Sequence, residues 1–160
     1  MSDVIIIGGG PGGYEAALTA AQLGATVTVV ERDGIGGAAV LTDVVPSKAL
    51  IAVAEAATDT RASAVIGVHA GQVTVDLADV NARLLTWATT QSQDIEAKLV
   101  AEGIAVMRGS AALRSASEVQ VTLSDDSVVV LPADVVLVAT GARPRLLPEA
   151  VPDGESILPW

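Results

Sequence analysis

Apolar positions along the chain fall into short β-favouring runs alternating with stretches of helical spacing, and the first third of the sequence sets the pattern. Val4, Ile5, Ile6 and Ile7 predict a buried strand that runs directly into a glycine-rich turn. A helix-compatible run follows, opening near Gly12, continuing from Tyr14 to Leu23 and closing at Gly24, a residue suited to a helix C-terminus. The run VTVVE predicts a second strand ending on Glu31. Residues 32–45, with Gly34, Gly36 and Gly37, read as a long loop. Pro46 then fits the first position of an alanine-rich helix reaching Thr60, and residues 63–75 read as irregular.

Asp76 is a good N-cap for a long helix, with Asp79 favouring its dipole and Gly103 ending it. Leu77, Val80, Leu84, Trp87, Ile95 and Leu99 keep a spacing of three and four around polar Gln91, which makes Trp87 a core anchor between helix and sheet. Residues 104–107 predict a short buried strand entering Gly109, followed by a separate strand at 112–114. Residues 118–123 and 128–131 bracket the turn SDDS as a hairpin, and a last strand at 134–139 runs into Thr140 and Gly141. Prolines at 144, 148, 152 and 159 mark the remainder as a surface connector. The order implies an α/β fold of Rossmann-like type: a parallel sheet with helices on one face and an antiparallel β-meander on the other.

Gly8, Gly10 and Gly13 stand at G-x-G-x-x-G spacing between strand and helix, and an acid ends the next strand. In such a turn the first glycine permits the tight reversal, the second lets the backbone approach a pyrophosphate, and the third allows close helix-to-strand packing. The helix N-terminus then offers N–H groups and a positive dipole to phosphates. Glu31 can accept hydrogen bonds from both hydroxyls of an adenosine ribose, whereas a 2′-phosphate would be repelled. FAD or NAD is therefore expected rather than NADP, and these residues alone do not separate the two.

Composition narrows the chemistry. At 160 residues the chain suits one domain, and with 51% hydrophobic residues its apolar runs fall far short of a membrane span, so it reads as soluble. The N-terminus lacks the basic region of a secretory signal, which makes the cytoplasm the expected location. A net charge of −10 without a basic cluster argues against nucleic acid. The chain has no cysteine, which removes disulfides, thiolate metal ligands and thiol catalysis, and its single histidine, His69, cannot build a metal cluster. His69 is expected at the surface with no catalytic role. No metal site is expected.

Four ordered motifs bear a resemblance: GGGPGGYEAA at 8–17, the stretch from DGIGG to VPSK at 33–48, GSA at 109–111 and VLVATGARP at 136–144. In these the chain resembles the FAD-binding segment of the flavoprotein disulfide reductases, the group of dihydrolipoamide dehydrogenase and glutathione reductase. The resemblance implies FAD as cofactor and NAD(P)H as substrate. It casts Gly8, Gly10, Pro11, Gly12 and Gly13 as the pyrophosphate turn, Glu31 as the ribose acceptor and Arg32 as its neighbour beside the adenosine. Gly36, Gly37 and Ala38 would pass close to the flavin, Ala111 would touch adenine through its backbone, and Thr140 with Gly141 would end a strand beside the cofactor. Lys48 resembles the lysine beside the flavin ring, where a cation stabilises negative charge on the reduced form.

One departure redirects the chemistry. The positions corresponding to the family's redox cysteine pair hold Ala39 and Val44, and a disulfide cannot exchange electrons without sulfur. The expected activity is electron transfer from reduced FAD directly to a small-molecule acceptor, most like the cysteine-poor NAD(P)H:quinone reductase branch, with pyridine nucleotide transhydrogenase as a related reading. The alternatives are a truncated, non-catalytic dinucleotide-binding module and a small NAD-dependent dehydrogenase. The resemblance also implies an organisation in which residues 1–141 form the N-terminal part of an FAD-binding domain and 142–160 lead toward an NAD(P)H-binding domain outside this sequence. The 160-residue chain alone would then be inactive, and a homodimer is implied for a full-length protein only. Neither nucleic acid nor a membrane is an expected partner.

Overall fold

A computed structural model describes residues 2–158. Its sheet has the order β5-β4-β3-β2-β1-β6. β1 (Asp3–Ile7) lies between β2 (Thr26–Glu31) and β6 (Val135–Val138), parallel to both, and β2 pairs in parallel with the start of β3 (Ala105–Ser115). β3 then leaves the parallel sheet and pairs antiparallel with β4 (Glu118–Leu123), which pairs with β5 (Val128–Pro132). The helices are α1 (Pro11–Gln22), α2 (Gly37–Leu41), α3 (Val44–Ala62) and α4 (Leu77–Ala101).

Strand alternation divides the core into two layers. Ile6, Val27 and Val29 face Ala17 and Leu18 of α1 and Leu99 of α4, together with Ile35 and Ile104. Their neighbours Ile5, Ile7 and Val30 point to the opposite face and meet Val119 and Val121 of β4. A period of two thus serves both faces at once, which is why β1 reads as an unbroken apolar run. The result is helices on one face and the meander on the other, as the element order implies.

The sequence expectations at 104–107 and 112–114 merge into the single strand β3. Gly109 sits at the change of partner, where an added Cβ would lie 2.4 Å from the Thr122 carbonyl oxygen. Glycine there lets two backbones cross closely rather than ending the strand. The expected loop at 32–45 contains α2, and α3 starts two residues before Pro46, which occupies the third helical position. Proline is tolerated because N–H groups of a first turn have no helical acceptor. Residues 63–66 form a 3-10 turn within the segment expected to be irregular.

Trp87 is a correction: it is 51% exposed and anchors no core. The buried stripe of α4 runs through Leu84, Ala88, Ser92 and Leu99. Small residues at 88 and 92 let the helix approach closely, and the buried Ser92 hydroxyl donates to the Ile35 carbonyl at 2.5 Å. Asp76 caps α4 as expected, accepting from the Ala78 and Asp79 N–H groups at 2.9 and 3.1 Å.

α3 buries none of its residues. Residues 37–66 together are long and apolar enough to cross a membrane by length and composition, with a mean hydropathy of 1.5 over an 18-residue window. That departs from the expectation that no run approaches a span. The stretch is not one helix: it breaks at Asp43, whose φ of −122° and ψ of −90° separate α2 from α3, and Lys48, Glu55, Asp59 and Arg61 interrupt its apolar character.

Leu99→Ala is expected to lower the unfolding free energy by about 2–5 kcal/mol through a core cavity. Trp87→Ala is expected to cost less than about 1 kcal/mol. Urea titrations of the two variants check the ordering, and a larger loss at Trp87 would contradict the assigned helix face.

Candidate cofactor-binding site

The carboxyl ends of β1, β2 and β6 and the middle of β3 open onto one groove of about 770 Å³. Its wall includes Gly8, Gly10, Pro11 and Gly12 from the glycine turn, Glu31, Arg32 and Asp33 after β2, and Gly37, Ala38 and Ala39 of α2. Ala111 of β3 and Thr140 and Gly141 after β6 complete the wall on the other side. Five segments thus meet where strands end, the place at which open α/β sheets take ligands.

The glycines divide by what surrounds them. At Gly13 an added Cβ would stand 1.9 Å from the Gly8 carbonyl oxygen, and at Gly8, with φ of +104°, it would stand 2.3 Å from the Ala139 carbonyl oxygen. Both are required by the fold itself. At Gly10 and Gly12 an added Cβ meets no protein atom within 4 Å, although both residues line the groove. The turn therefore keeps an open cradle that side chains would fill. Gly13 and Tyr14 donate to the Gly10 carbonyl at 2.9 Å, and Pro11 has no N–H. Among the described residues this leaves the Gly12 N–H as the first-turn donor available to an anion, where the helix dipole is also favourable.

Glu31 is buried and holds the groove together. Its Oε2 accepts from the Gly9 N–H at 2.6 Å, and its Oε1 accepts from the Asp33 and Gly34 N–H groups at 2.8 and 3.3 Å. The Gly36 N–H donates to the Gly9 carbonyl at 2.8 Å, tying the same two segments a second time. A carboxylate offers about four lone-pair positions, so three backbone donors leave about one free. Glu31 can receive one ribose hydroxyl without loss, and a second must compete with the long bond from Gly34. The sequence expectation of two hydroxyl contacts is refined accordingly.

Arg32 forks onto Asp33, with Nη2 donating to Oδ2 at 2.7 Å and Nε to both oxygens at 3.1 and 3.2 Å. This hydrogen-bonded fork holds the Asp33 carboxyl below its ordinary pKa, and the nearby Arg143 charge adds to the effect. The pair is exposed, so its contribution is small. That contribution is present above the ordinary carboxylate value of 3.8 and is lost as pH falls through the lowered one.

Not every expected site residue reaches the groove. Gly13 and Gly36 lie behind it as supports, and Ala39 lines it while Val44 does not. Lys48 is exposed on α3 and also lies off the groove. Asp33, Ser110, Ala142 and Arg143 line it without having been expected to. Each stands inside one of the four motifs without having been given a role of its own. Among the described residues no group of three acidic or histidine side chains could hold a metal ion.

The family described as pyridine nucleotide-disulphide oxidoreductase matches residues 2–156. The chain belongs to this family. It is 45% identical to an NAD(P)H dehydrogenase (quinone) of Mycobacterium tuberculosis, covering 100% of this chain and 35% of that protein. It is 38% identical to a dihydrolipoyl dehydrogenase of Chlorobaculum tepidum, covering 98% of this chain and 33% of that one. The crystal structure of LpdA from Mycobacterium tuberculosis superposes with a TM-score of 0.91 at 45% identity, over 99% of this chain and 36% of LpdA. This oxidoreductase-family chain thus spans about a third of the length of the relatives it matches.

Glu31→Gln is expected to destabilise the ligand-free protein by about 1–3 kcal/mol, because an amide nitrogen must face backbone N–H donors in a buried site. Thermal or urea unfolding without any dinucleotide measures it; unchanged stability would show that Glu31 does not organise the loop. Arg32→Ala is expected to raise the Asp33 titration midpoint toward its ordinary value, read by carboxyl carbon NMR, and an unmoved midpoint would exclude the fork as the cause.

Proposed function

We propose that the groove binds FAD and that the chain is the FAD-binding portion of an NAD(P)H-dependent oxidoreductase with a quinone as acceptor. The open cradle at Gly10 and Gly12, beside a carboxylate able to accept from a ribose, is the observation that supports dinucleotide binding, and the family match over residues 2–156 favours FAD over NAD. Bound there, FAD supplies a two-electron carrier able to accept hydride from NAD(P)H and release electrons to a second substrate. The Gly12 N–H and the dipole of α1 face the pyrophosphate, and Glu31 receives the ribose. Pro11, Gly37, Ala38, Ala111, Thr140 and Gly141 supply the remaining wall. We assign Lys48 to the electron-rich edge of the flavin, as a positioning charge rather than a covalent catalyst.

Direct transfer to the acceptor follows from the chain's own residues. Ala39 and Val44 carry no sulfur, so a disulfide relay between flavin and a thiol substrate is closed within this segment. This separates the chain from the chemistry named in its dihydrolipoyl dehydrogenase relatives and favours the reaction named in the quinone-reducing one. In the same reading residues 142–160 lead from the FAD-binding domain toward an NAD(P)H-binding domain, and the complete protein is a cytoplasmic homodimer.

Gly10→Ala tests the cofactor assignment. Gly10 has φ of −68° and ψ of −178°, an extended conformation open to alanine, and the new methyl touches no protein atom. The thermal midpoint should hold while FAD affinity falls about tenfold or more, equivalent to about 1.4 kcal/mol. Failure of the wild-type chain to take up FAD at millimolar concentration in equilibrium dialysis would overturn the proposal.

A further inference from the structure

The groove holds a second arginine whose role none of the motifs defines. Arg143, exposed after β6, lines it together with Arg32 and Asp33. Among the described residues no carboxylate lies within ion-pair distance of Arg143, whereas Arg32 is committed to Asp33. The charged side chains of the wall are Glu31, Arg32, Asp33 and Arg143, which sum to zero. Arg143 is therefore the cation of the groove that remains free for a ligand.

Its shape matters as much as its charge. Purine bases are commonly held between flat groups, aromatic rings or guanidinium planes. Among the described residues the wall of this groove contains no aromatic side chain. Its flat cationic groups are the two guanidiniums, one of them fixed in orientation by three hydrogen bonds to Asp33. Arg143 also borders a second cavity of about 390 Å³ lined by Pro144, Leu146, Val151 and Pro152, so its side chain has room to move. The Arg143 charge also contributes to the lowered pKa of the Asp33 carboxyl, which lines the same groove.

We propose that Arg143 closes over the adenine of the bound dinucleotide and stacks on it, with Asp33 holding Arg32 in place as the second flat group of the clamp. The clamp stands in for an aromatic platform, which the described wall of the groove lacks. It rests on the dinucleotide reading above. Lysine would keep the charge but not the plane, which distinguishes stacking from attraction to phosphate.

Isothermal titration of the 160-residue chain with FAD, ADP and FMN tests the clamp. Arg143→Ala should weaken FAD and ADP about fivefold or more, leave FMN unchanged because it has no adenine, and leave the thermal midpoint unchanged. Arg143→Lys should not restore the loss. Wild-type affinity for ADP in Arg143→Ala, full rescue by lysine, or an equal loss for FMN would overturn the clamp while leaving FAD binding intact. A wild-type chain that binds neither FAD nor ADP would instead remove the dinucleotide reading and the clamp with it.

Discussion

The three backbone hydrogen bonds accepted by the Glu31 carboxylate are the constraint on which the site depends. They join the glycine turn after β1 to the loop after β2, reinforcing the tie that the Gly36 N–H makes to the Gly9 carbonyl. A buried carboxylate is costly unless its oxygens are satisfied, and here Gly9, Asp33 and Gly34 satisfy them. These bonds fix the position of the wall, and a wall fixed by its own hydrogen bonds adds little ordering cost to binding. The residue proposed to read the ribose is the same one that shapes the wall.

What the sequence made legible was local and steric. The glycine turn could be read because Gly8 and Gly13 sit where any Cβ collides with backbone, and such positions leave a fixed spacing. The strands could be read because Ile5, Ile6 and Ile7 are buried on both faces. The face of α4 could not, because its buried stripe includes Ala88 and Ser92, small residues with little hydrophobic signal, Ser92 bonding to the Ile35 carbonyl, while Trp87 carries a strong one. β3 looked like two strands because the glycine at its crossing imitates a terminator. At the site, Glu31 and the turn were recognisable from spacing, whereas Asp33 and Arg143 gain meaning only when the ends of β2 and β6 come together across β1.

The two halves of the reading rest on different physics. The cofactor grip depends on what the turn leaves empty at Gly10 and Gly12. The proposed route of electrons rests instead on what the α2 segment lacks, since Ala39 lines the groove with a methyl group and no thiol. α3 and Lys48 stand outside the groove, and α3 has no buried residue of its own. A wall made of backbone, small residues and four balanced charges favours recognition by shape and hydrogen bonding over bulk attraction.

Competitive binding of 5′-ADP and its 2′-phosphorylated counterpart to the chain tests the central place of Glu31 most directly. A buried carboxylate already filled by three backbone donors has room for one ribose hydroxyl and none for a phosphate. The 2′-hydroxyl ligand should bind at least about tenfold more tightly, a difference of about 1.4 kcal/mol. Equal affinity, or preference for the 2′-phosphate, would contradict the account.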